Sequence, residues 1–264
     1  MNLSIITVSL NAEKYIDKTI NSILNQTDPV YEYIIIDGNS KDRTYNIICS
    51  YEKKFKEKGI RYIYSSDKDR GISDAFNKGI KKATGDLIGI INADDELMPD
   101  ANKILKKYYE KSNAGVFYGN CLWIDKKRNF SYISRPRHNL DKLLYNMILI
   151  HSSTFVKKDI YNKYGRFKID YKYCMDKELL YRFYKNGVKF KYIDFVLTKF
   201  KSGGISDRNK LNVYKEGSKM ALSYGEPFIK VKIIEFLKCI RGIIIDSLKN
   251  TFIYKIIKKT KVIK

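Results

Sequence analysis

The sequence predicts an α/β fold in which a mostly parallel central sheet is flanked by helices and followed by a helical C-terminal extension. Up to about residue 113, short apolar runs alternate with amphipathic segments, the pattern of repeated strand–helix–strand units. The apolar runs are continuous, as expected for parallel strands that are buried on both faces. From about residue 207 the pattern is helical to the end of the chain.

The first part of the chain, residues 1–113, holds the predicted parallel strands and the helices that connect them. The strands are predicted at residues 3–8, 33–36, 61–64 and 87–91. The helices are predicted at residues 15–25, 44–58, 71–83 and 100–111. In the first helix one face is apolar and can pack on the sheet, since it carries Ile16, Ile20, Ile23 and Leu24.

The second part, residues 114–206, mixes shorter strands with helices, and the third part, residues 207–264, is predicted to be a helical, basic extension. Strands are predicted at residues 115–118, 153–156 and 191–200, and helices at 159–164 and 176–186. The extension contains two further predicted helices, at residues 207–223 and 228–249.

Composition limits the class of protein. A chain of 264 residues with 44% hydrophobic residues can form one large α/β domain with a small extension. The net charge of +22 predicts an anionic partner, which can be nucleic acid, anionic lipid or a phosphorylated substrate. The four cysteines are scattered without metal-binding spacing, which favours reduced thiols in the cytoplasm. We expect neither a secretory signal nor a transmembrane helix.

Polar loops follow every predicted strand of the first part. They lie at residues 7–11, 37–44, 65–71 and 92–95 and are rich in carboxylates, hydroxyls and amides. In open α/β sheets, ligands bind outside the carboxyl ends of the strands, so we expect the functional site there. Because neither GxGxxG nor GxxxxGK[ST] occurs, a dinucleotide cofactor and a P-loop are both disfavoured.

Two of these loops carry candidate ligands. Adjacent carboxylates such as Asp94 and Asp95 repel each other unless a cation neutralises them, and Mg²⁺ or Mn²⁺ held with a diphosphate would do so. A solvated turn before the next helix is an equally good interpretation of this pair taken alone. Asp37, at the end of the second strand, can accept hydrogen bonds from a base or ribose, or can cap its own turn.

The order of these motifs resembles the family 2 glycosyltransferases of the GT-A fold over roughly the first 200 residues. The motifs are SIITVSLN at 4–11, SILNQT at 22–27, IDGNSKDRT at 36–44, DRGISDAFNKG at 69–79, ATG at 83–85 and NADD at 92–95. The IDGxS form is similar to the bacterial branch that builds capsule, O-antigen or exopolysaccharide.

The resemblance implies a metal-dependent, inverting transfer from a nucleotide-sugar donor, either a UDP-sugar or a GDP-sugar. Residues 1–113 would bind the donor, and residues 114–206 would bind the acceptor and catalyse transfer. Asp94 and Asp95 match the metal motif for Mg²⁺ or Mn²⁺. Gly38 stands where many members carry a second acid. The positions that match donor-binding residues are Thr7, Asn11, Asp37, Asp69, Asp74, Lys78 and Asp94.

The resemblance also implies a catalytic base in the segment CMDKELLYR, residues 174–182. Asp176 is the candidate base, although an Asp at this place also suits the N-cap of the following helix. Glu178 is the second candidate. His151 matches a recurrent His that would contact a phosphate or the acceptor, or that is structural. The turn GGIS at 203–206 would be a lid over the donor or an ordinary loop.

The C-terminal helix is predicted to be amphipathic and basic. Its apolar stripe consists of Ile229, Ile233, Phe236, Leu237, Ile240, Ile243 and Ile244. A basic amphipathic helix can lie in a membrane interface, or it can pack its stripe on the catalytic domain, and we favour packing on the domain by a small margin. The basic tail after Tyr254 is expected to bind an anionic membrane surface.

The sequence therefore predicts a cytoplasmic glycosyltransferase, peripheral at the inner face of the cell membrane. Its partners would be a nucleotide-sugar, a glycan or polyprenyl-linked glycan acceptor and the membrane, but no nucleic acid. One alternative, a sugar-nucleotide nucleotidyltransferase, usually has a Gly-rich loop where this chain has Ser9-Leu10-Asn11. A basic nucleic-acid-binding protein is the other alternative, but the lysines are not gathered into a recognised motif.

Overall fold

The computed structural model of the protein describes residues 1–125, 129–201 and 209–248. Its strands are β1 (Leu3–Ser9), β2 (Glu32–Asp37), β3 (Arg61–Ser66), β4 (Leu87–Ile90), β5 (Glu96–Leu97), β6 (Val116–Asp125), β7 (Phe130–Ser134), β8 (Thr154–Lys157) and β9 (Phe190–Lys201). Its helices are α1 (Ile16–Leu24), α2 (Thr44–Ser50), α3 (Glu52–Glu57), α4 (Ile72–Lys82), α5 (Ala101–Glu110), α6 (Lys158–Tyr164), α7 (Met175–Lys185), α8 (Lys210–Ser223) and α9 (Phe228–Leu248). Short 3₁₀ turns occupy Leu140–Leu144 and His151–Ser153.

The strands form one sheet in the order β3-β2-β1-β4-β8-β6-β9-β5, and β7 pairs with β6. The first four strands in this order are parallel to one another. β8 runs antiparallel to β4 and β6, while β6 and β9 are parallel. The carboxyl ends of β1 to β4 therefore meet at one edge of the sheet, which confirms the predicted α/β arrangement and brings the four polar loops together.

Side chains cover both faces of the sheet, which explains the continuous apolar runs. Ile6 and Ile34 enter one hydrophobic cluster, whereas their neighbours Ile5 and Ile35 enter the cluster on the opposite face. All four are essentially inaccessible to solvent. Burial of each such side chain stabilises the fold by about 1.5–3 kcal/mol.

The predicted helix at residues 44–58 is interrupted, so this prediction was wrong in detail. α2 ends at Ser50 and α3 begins at Glu52, with Tyr51 between them. The Tyr51 hydroxyl donates to Asp17 Oδ1 at 2.5 Å, a contact with a residue 34 positions earlier. Two short strands, β5 and β7, were also missed because they are defined by their partners β9 and β6.

The C-terminal helices are attached to the domain in different ways. α8 inserts Met220 and Ala221 into the hydrophobic core, and α9 adds Val231. α8 begins at Lys210; residues 207–208, the turn at 203–206 and the tail after Tyr254 lie outside the described residues. None of the helices in the described ranges is long and apolar enough to span a bilayer.

Candidate active site

The Asp37 carboxylate is a buried centre that ties three strand ends together. Its Oδ1 accepts hydrogen bonds from Ser9 Oγ at 2.9 Å and Ser40 Oγ at 2.5 Å. Its Oδ2 accepts from Ser66 Oγ at 2.6 Å and the Ser40 backbone N at 2.9 Å. These four donors occupy both oxygens, so Asp37 links the ends of β1 and β3 to the loop after β2.

Thr7 and Asn11 also form hydrogen bonds between these chain segments, Thr7 as a buried residue and Asn11 as an exposed one. The Thr7 side chain is fully buried, and its hydroxyl accepts from the Tyr33 hydroxyl at 3.0 Å. Asn11 adopts a positive φ of 50°, a conformation that Asn tolerates better than most residues. Its Oδ1 accepts from the Lys41 backbone N at 2.9 Å, which joins the loop after β1 to the loop after β2.

Asp69 lies over Gly38, the position that lacks a second acid. A methyl group placed on Gly38 would lie 2.8 Å from Asp69 Oδ2 and 3.5 Å from Leu10 Cδ1. Asp69 Oδ1 accepts from the Gly71 backbone N at 2.8 Å. Within the described part of the chain, Oδ2 has no hydrogen-bond donor. Together with the exposed Leu10 side chain, it forms a shallow surface with one unused acceptor.

Asp74 and Lys78 shape the start of α4 beside this surface. Asp74 Oδ2 accepts from the Arg70 backbone N at 3.1 Å and lies 3.6 Å from Lys78 Nζ. The Arg70 backbone hydrogen bond is the main cause that lowers the pKa of Asp74. Lys78 Nζ also donates to the Lys68 carbonyl at 3.0 Å, so its ammonium group lies at the loop after β3.

The two adjacent acids after β4 differ in their surroundings. Asp95 is buried, with Oδ1 accepting from the Lys201 backbone N at 3.2 Å and Oδ2 from Asn92 Nδ2 at 3.0 Å. Burial, and then the neighbouring charge of Asp94, raise the pKa of Asp95 to about 7. Asp94 itself is only partly buried. Asp95 therefore joins this loop to β9, while Asp94 remains the acid nearer to solvent.

This pair fits a divalent cation bound together with a diphosphate. Within residues 1–125, 129–201 and 209–248, no three His, Cys, Asp or Glu side chains form a metal cluster. Mg²⁺ commonly uses only one or two protein carboxylates and completes its shell with water and phosphate. Burial is the main cause of the raised Asp95 pKa and repulsion by Asp94 is the second, and a cation beside Asp94 would relieve that repulsion.

Asp176 lies at the second position of α7. The helix begins at Met175 and Cys174 is the N-cap residue, so the predicted N-cap role for Asp176 was wrong. Its Oδ1 does accept from the adjacent Lys177 backbone N at 2.7 Å. Asp176 is therefore near the positive end of the helix without capping it.

Glu216 of α8, rather than Asp176, accepts hydrogen bonds from the backbone that leads into α7. Its carboxylate accepts three backbone N–H bonds, from Lys172 at 2.7 Å and from Tyr173 and Cys174 at 2.6 Å each. These residues directly precede α7. Glu216 thus fixes the start of the helix that carries Asp176, and nothing in its local sequence indicates this, since the contacts span about 40 residues.

His151 lies close to Asp176 in a buried aromatic setting. Its ring centroid is 5.2 Å from that of Phe76 and 5.9 Å from that of Phe167. Burial lowers the pKa of His151, while the charge of Asp176 acts in the opposite direction. His151 Nε2 is buried without a hydrogen-bond partner in the described residues, so one polar atom near the candidate base remains unsatisfied.

Glu178, the second candidate base, is fully buried in a network of its own. Its Oε1 lies 2.8 Å from Lys168 Nζ and accepts from the Tyr224 hydroxyl at 3.1 Å. Arg182 donates from Nε to Oε1 and from Nη2 to Oε2, both at 3.1 Å. These contacts give Glu178 a structural role. They join α7 to Tyr224 at the end of α8 and to Lys168 in the loop that precedes α7.

Comparison with known proteins identifies the family. The model of the glycosyl transferase family 2 matches residues 4–183. The chain is 26% identical over 208 residues to the PGL/p-HBAD biosynthesis glycosyltransferase of Mycobacterium bovis, covering 77% of this chain and 78% of that protein. It is 33% identical over 129 residues to the GalNAc(5)-diNAcBac-PP-undecaprenol beta-1,3-glucosyltransferase of Campylobacter jejuni, covering 49% and 40% of the two chains.

Solved structures share the fold at low sequence identity. TarS 1-349 of S. aureus, crystallised with UDP, aligns with a TM-score of 0.64 at 18% identity, over 89% of this chain and 70% of that one. The mannosyltransferase PcManGT of Pyrobaculum calidifontis, in complex with GDP-Man and Mn2+, aligns with a TM-score of 0.66 at 14% identity, over 98% and 79%. The fold is thus of the GT-A type, and the chain belongs to glycosyl transferase family 2 and is a glycosyltransferase.

Proposed function

We propose that the protein transfers a sugar from a nucleotide-sugar to a glycan or lipid-linked glycan, with inversion and with the help of a divalent cation. The observation that carries this proposal is the convergence at one sheet edge. The loops after β3 and β4 carry Asp69 and Asp94 at this edge. β4 also contacts the turn at His151–Ser153, where the ring of His151 is close enough to Asp176 to interact with its charge.

The donor nucleotide is assigned to the surface formed by Leu10, Gly38 and Asp69. The free Asp69 Oδ2 can accept an N–H from a base, and the exposed Leu10 can pack on the base plane. Uracil and guanine both present ring N–H donors, so a UDP-sugar or a GDP-sugar fits this surface. Lys78, whose ammonium group donates to the Lys68 carbonyl of the loop after β3, would attract the phosphates.

The diphosphate is assigned to the loop of Asp94. A bound Mg²⁺ or Mn²⁺ would neutralise the charge that develops on the departing diphosphate. Asp94 would hold that cation, because Asp95 already uses its oxygens for Asn92 and Lys201. Asp95 would keep the loop in place and set the position of its neighbour.

Asp176 would act as the general base. It takes the proton of the acceptor hydroxyl as the acceptor oxygen bonds to the anomeric carbon and the bond from that carbon to the diphosphate breaks. A single displacement of this kind inverts the anomeric configuration. His151 lies near Asp176, and its Nε2 is unpartnered in the described part of the chain. Its uncharged ring would therefore help to orient the acceptor.

The acceptor class follows from the relatives. Because one relative is named for an undecaprenol-linked substrate and another for PGL/p-HBAD biosynthesis, we propose that this enzyme extends a glycan or polyprenyl-linked glycan for the bacterial cell surface, such as capsule or O-antigen. We also propose that it works in the cytoplasm, peripheral at the inner face of the membrane, as the charge of +22 supports.

A donor panel tests the function. The purified chain is incubated with Mn²⁺ and each of several UDP-sugars and GDP-sugars, and release of UDP or GDP is measured. We expect slow release from one donor class. Formation of pyrophosphate from a sugar phosphate and a nucleoside triphosphate, without hydrolysis of any nucleotide-sugar, would instead establish the nucleotidyltransferase alternative.

A further inference from the structure

The C-terminal helix α9 exposes its apolar stripe, contrary to the sequence-based expectation that the stripe packs on the catalytic domain. The side chains of this stripe are between 40% and 74% exposed. They are Ile229, Ile233, Phe236, Leu237, Ile240, Ile243 and Ile244. Their spacing of three and four residues places them along one side of the helix, as a continuous apolar surface over about 20 Å.

The opposite side of α9 faces the protein, although it is less apolar. Val231 is buried, and Gly242 approaches the Tyr214 ring so closely that a methyl group there would lie 3.1 Å from its hydroxyl. Between them, Lys238 Nζ donates to the Tyr145 carbonyl. Burial, and then the charge of Lys177, lower the pKa of Lys238 to about 8. The helix therefore turns a partly buried lysine toward the domain and exposes isoleucines.

We propose that the exposed stripe of α9 lies in the interface of an anionic membrane and holds the enzyme there. Exposing so many contiguous apolar side chains is unfavourable in water and marks an interaction surface. The segment from Phe228 to the end of the chain has ten Lys and Arg residues against two acids. Basic residues beside an apolar face are the combination that binds anionic lipid, whereas a self-association surface of the same charge would repel itself.

This arrangement connects the membrane to the candidate base, and here the inference rests on the proposed function. α9 packs along α8, and α8 carries Glu216, whose carboxylate holds the residues that precede α7 and Asp176. A membrane-bound α9 would therefore hold the start of α7 at a fixed height above the lipid. This placement suits an acceptor whose lipid tail stays in the bilayer.

Vesicle flotation with a matched pair of variants tests the proposal. Leu237→Ser removes a side chain that is 58% exposed on the stripe, and Leu211→Ser removes one that is 62% exposed on α8. The full chain is mixed with vesicles of phosphatidylglycerol and phosphatidylcholine, or of phosphatidylcholine alone. We expect wild type and Leu211→Ser to float with the anionic vesicles and Leu237→Ser to bind about tenfold more weakly.

The possible results of this experiment distinguish membrane binding by the stripe from self-association through it. Equal vesicle binding by the two leucine variants would overturn the proposal. So would a wild-type dimer in light scattering that Leu237→Ser dissociates without any change in vesicle binding, because the stripe would then bind a second copy. Both variants should keep the wild-type unfolding temperature. Nucleotide release from the donor, measured without vesicles, reports separately on the proposed function.

Discussion

The carboxylate of Asp69 should determine which nucleotide base the enzyme accepts. In Asp69→Asn, the amide oxygen can still accept from the Gly71 backbone N, which lies 2.8 Å from the native Oδ1. The amide nitrogen then replaces the free Oδ2 above Gly38. An acceptor becomes a donor at the point where we place the ring N–H of uracil or guanine. A hydrogen bond to a charged group contributes about 1.5–3 kcal/mol, so UDP or GDP affinity should fall about 10- to 100-fold.

The same variant should improve binding of CDP, whose ring nitrogen accepts a hydrogen bond at the corresponding position. Asp67→Asn is the matched control, because it removes the same charge from an exposed residue of the same loop. Titration calorimetry with UDP, GDP and CDP in the presence of Mn²⁺ measures all affinities. If Asp69→Asn and Asp67→Asn bind every nucleotide equally well, Asp69 does not determine which base the enzyme accepts.

The remaining predictions concern the metal and the support of the base. Asp94→Asn should reduce Mn²⁺-dependent nucleotide release about 100-fold or more, whereas Asp95→Asn should keep the metal dependence and mainly lower the unfolding temperature. A Mn²⁺ titration of both variants measures this difference. If Asp95→Asn loses more Mn²⁺-dependent release than Asp94→Asn, Asp95 is the metal ligand. Glu216→Gln leaves one acceptor oxygen for three backbone N–H groups. Its transfer rate should fall about tenfold while the donor Kd stays constant, and an unchanged rate would mean that the loop needs no such anchor.

The parallel half of the fold was predictable because local patterns determine it. Continuous apolar runs predicted β1 to β4 to within two residues at each end, and a polar loop followed each of them. The break at Tyr51 was not predictable, since it depends on a hydrogen bond to Asp17 in another helix. The orientation of α9 was also beyond the sequence: a helical wheel identifies an apolar stripe but does not show which side faces the domain.

The candidate site, like the fold, was only partly predictable from the sequence. The sequence placed acids at the ends of strands, yet it did not distinguish the saturated carboxylate of Asp37 from the free oxygen of Asp69. That distinction depends on serines at the ends of β1 and β3 and in the loop after β2. Similarly, Glu216 has no local signal, because its role arises only when α8 packs beside the start of α7.

The transfer rate of Asp176→Asn, measured beside donor affinity, tests the central claim most directly. The amide preserves the shape of the side chain and can still accept from the Lys177 backbone N, so the fold and the donor Kd should be unchanged. Loss of a general base should reduce transfer about 10²–10⁴-fold. A variant that binds donor normally and transfers sugar at nearly the wild-type rate would contradict the assignment of Asp176 as the catalytic base.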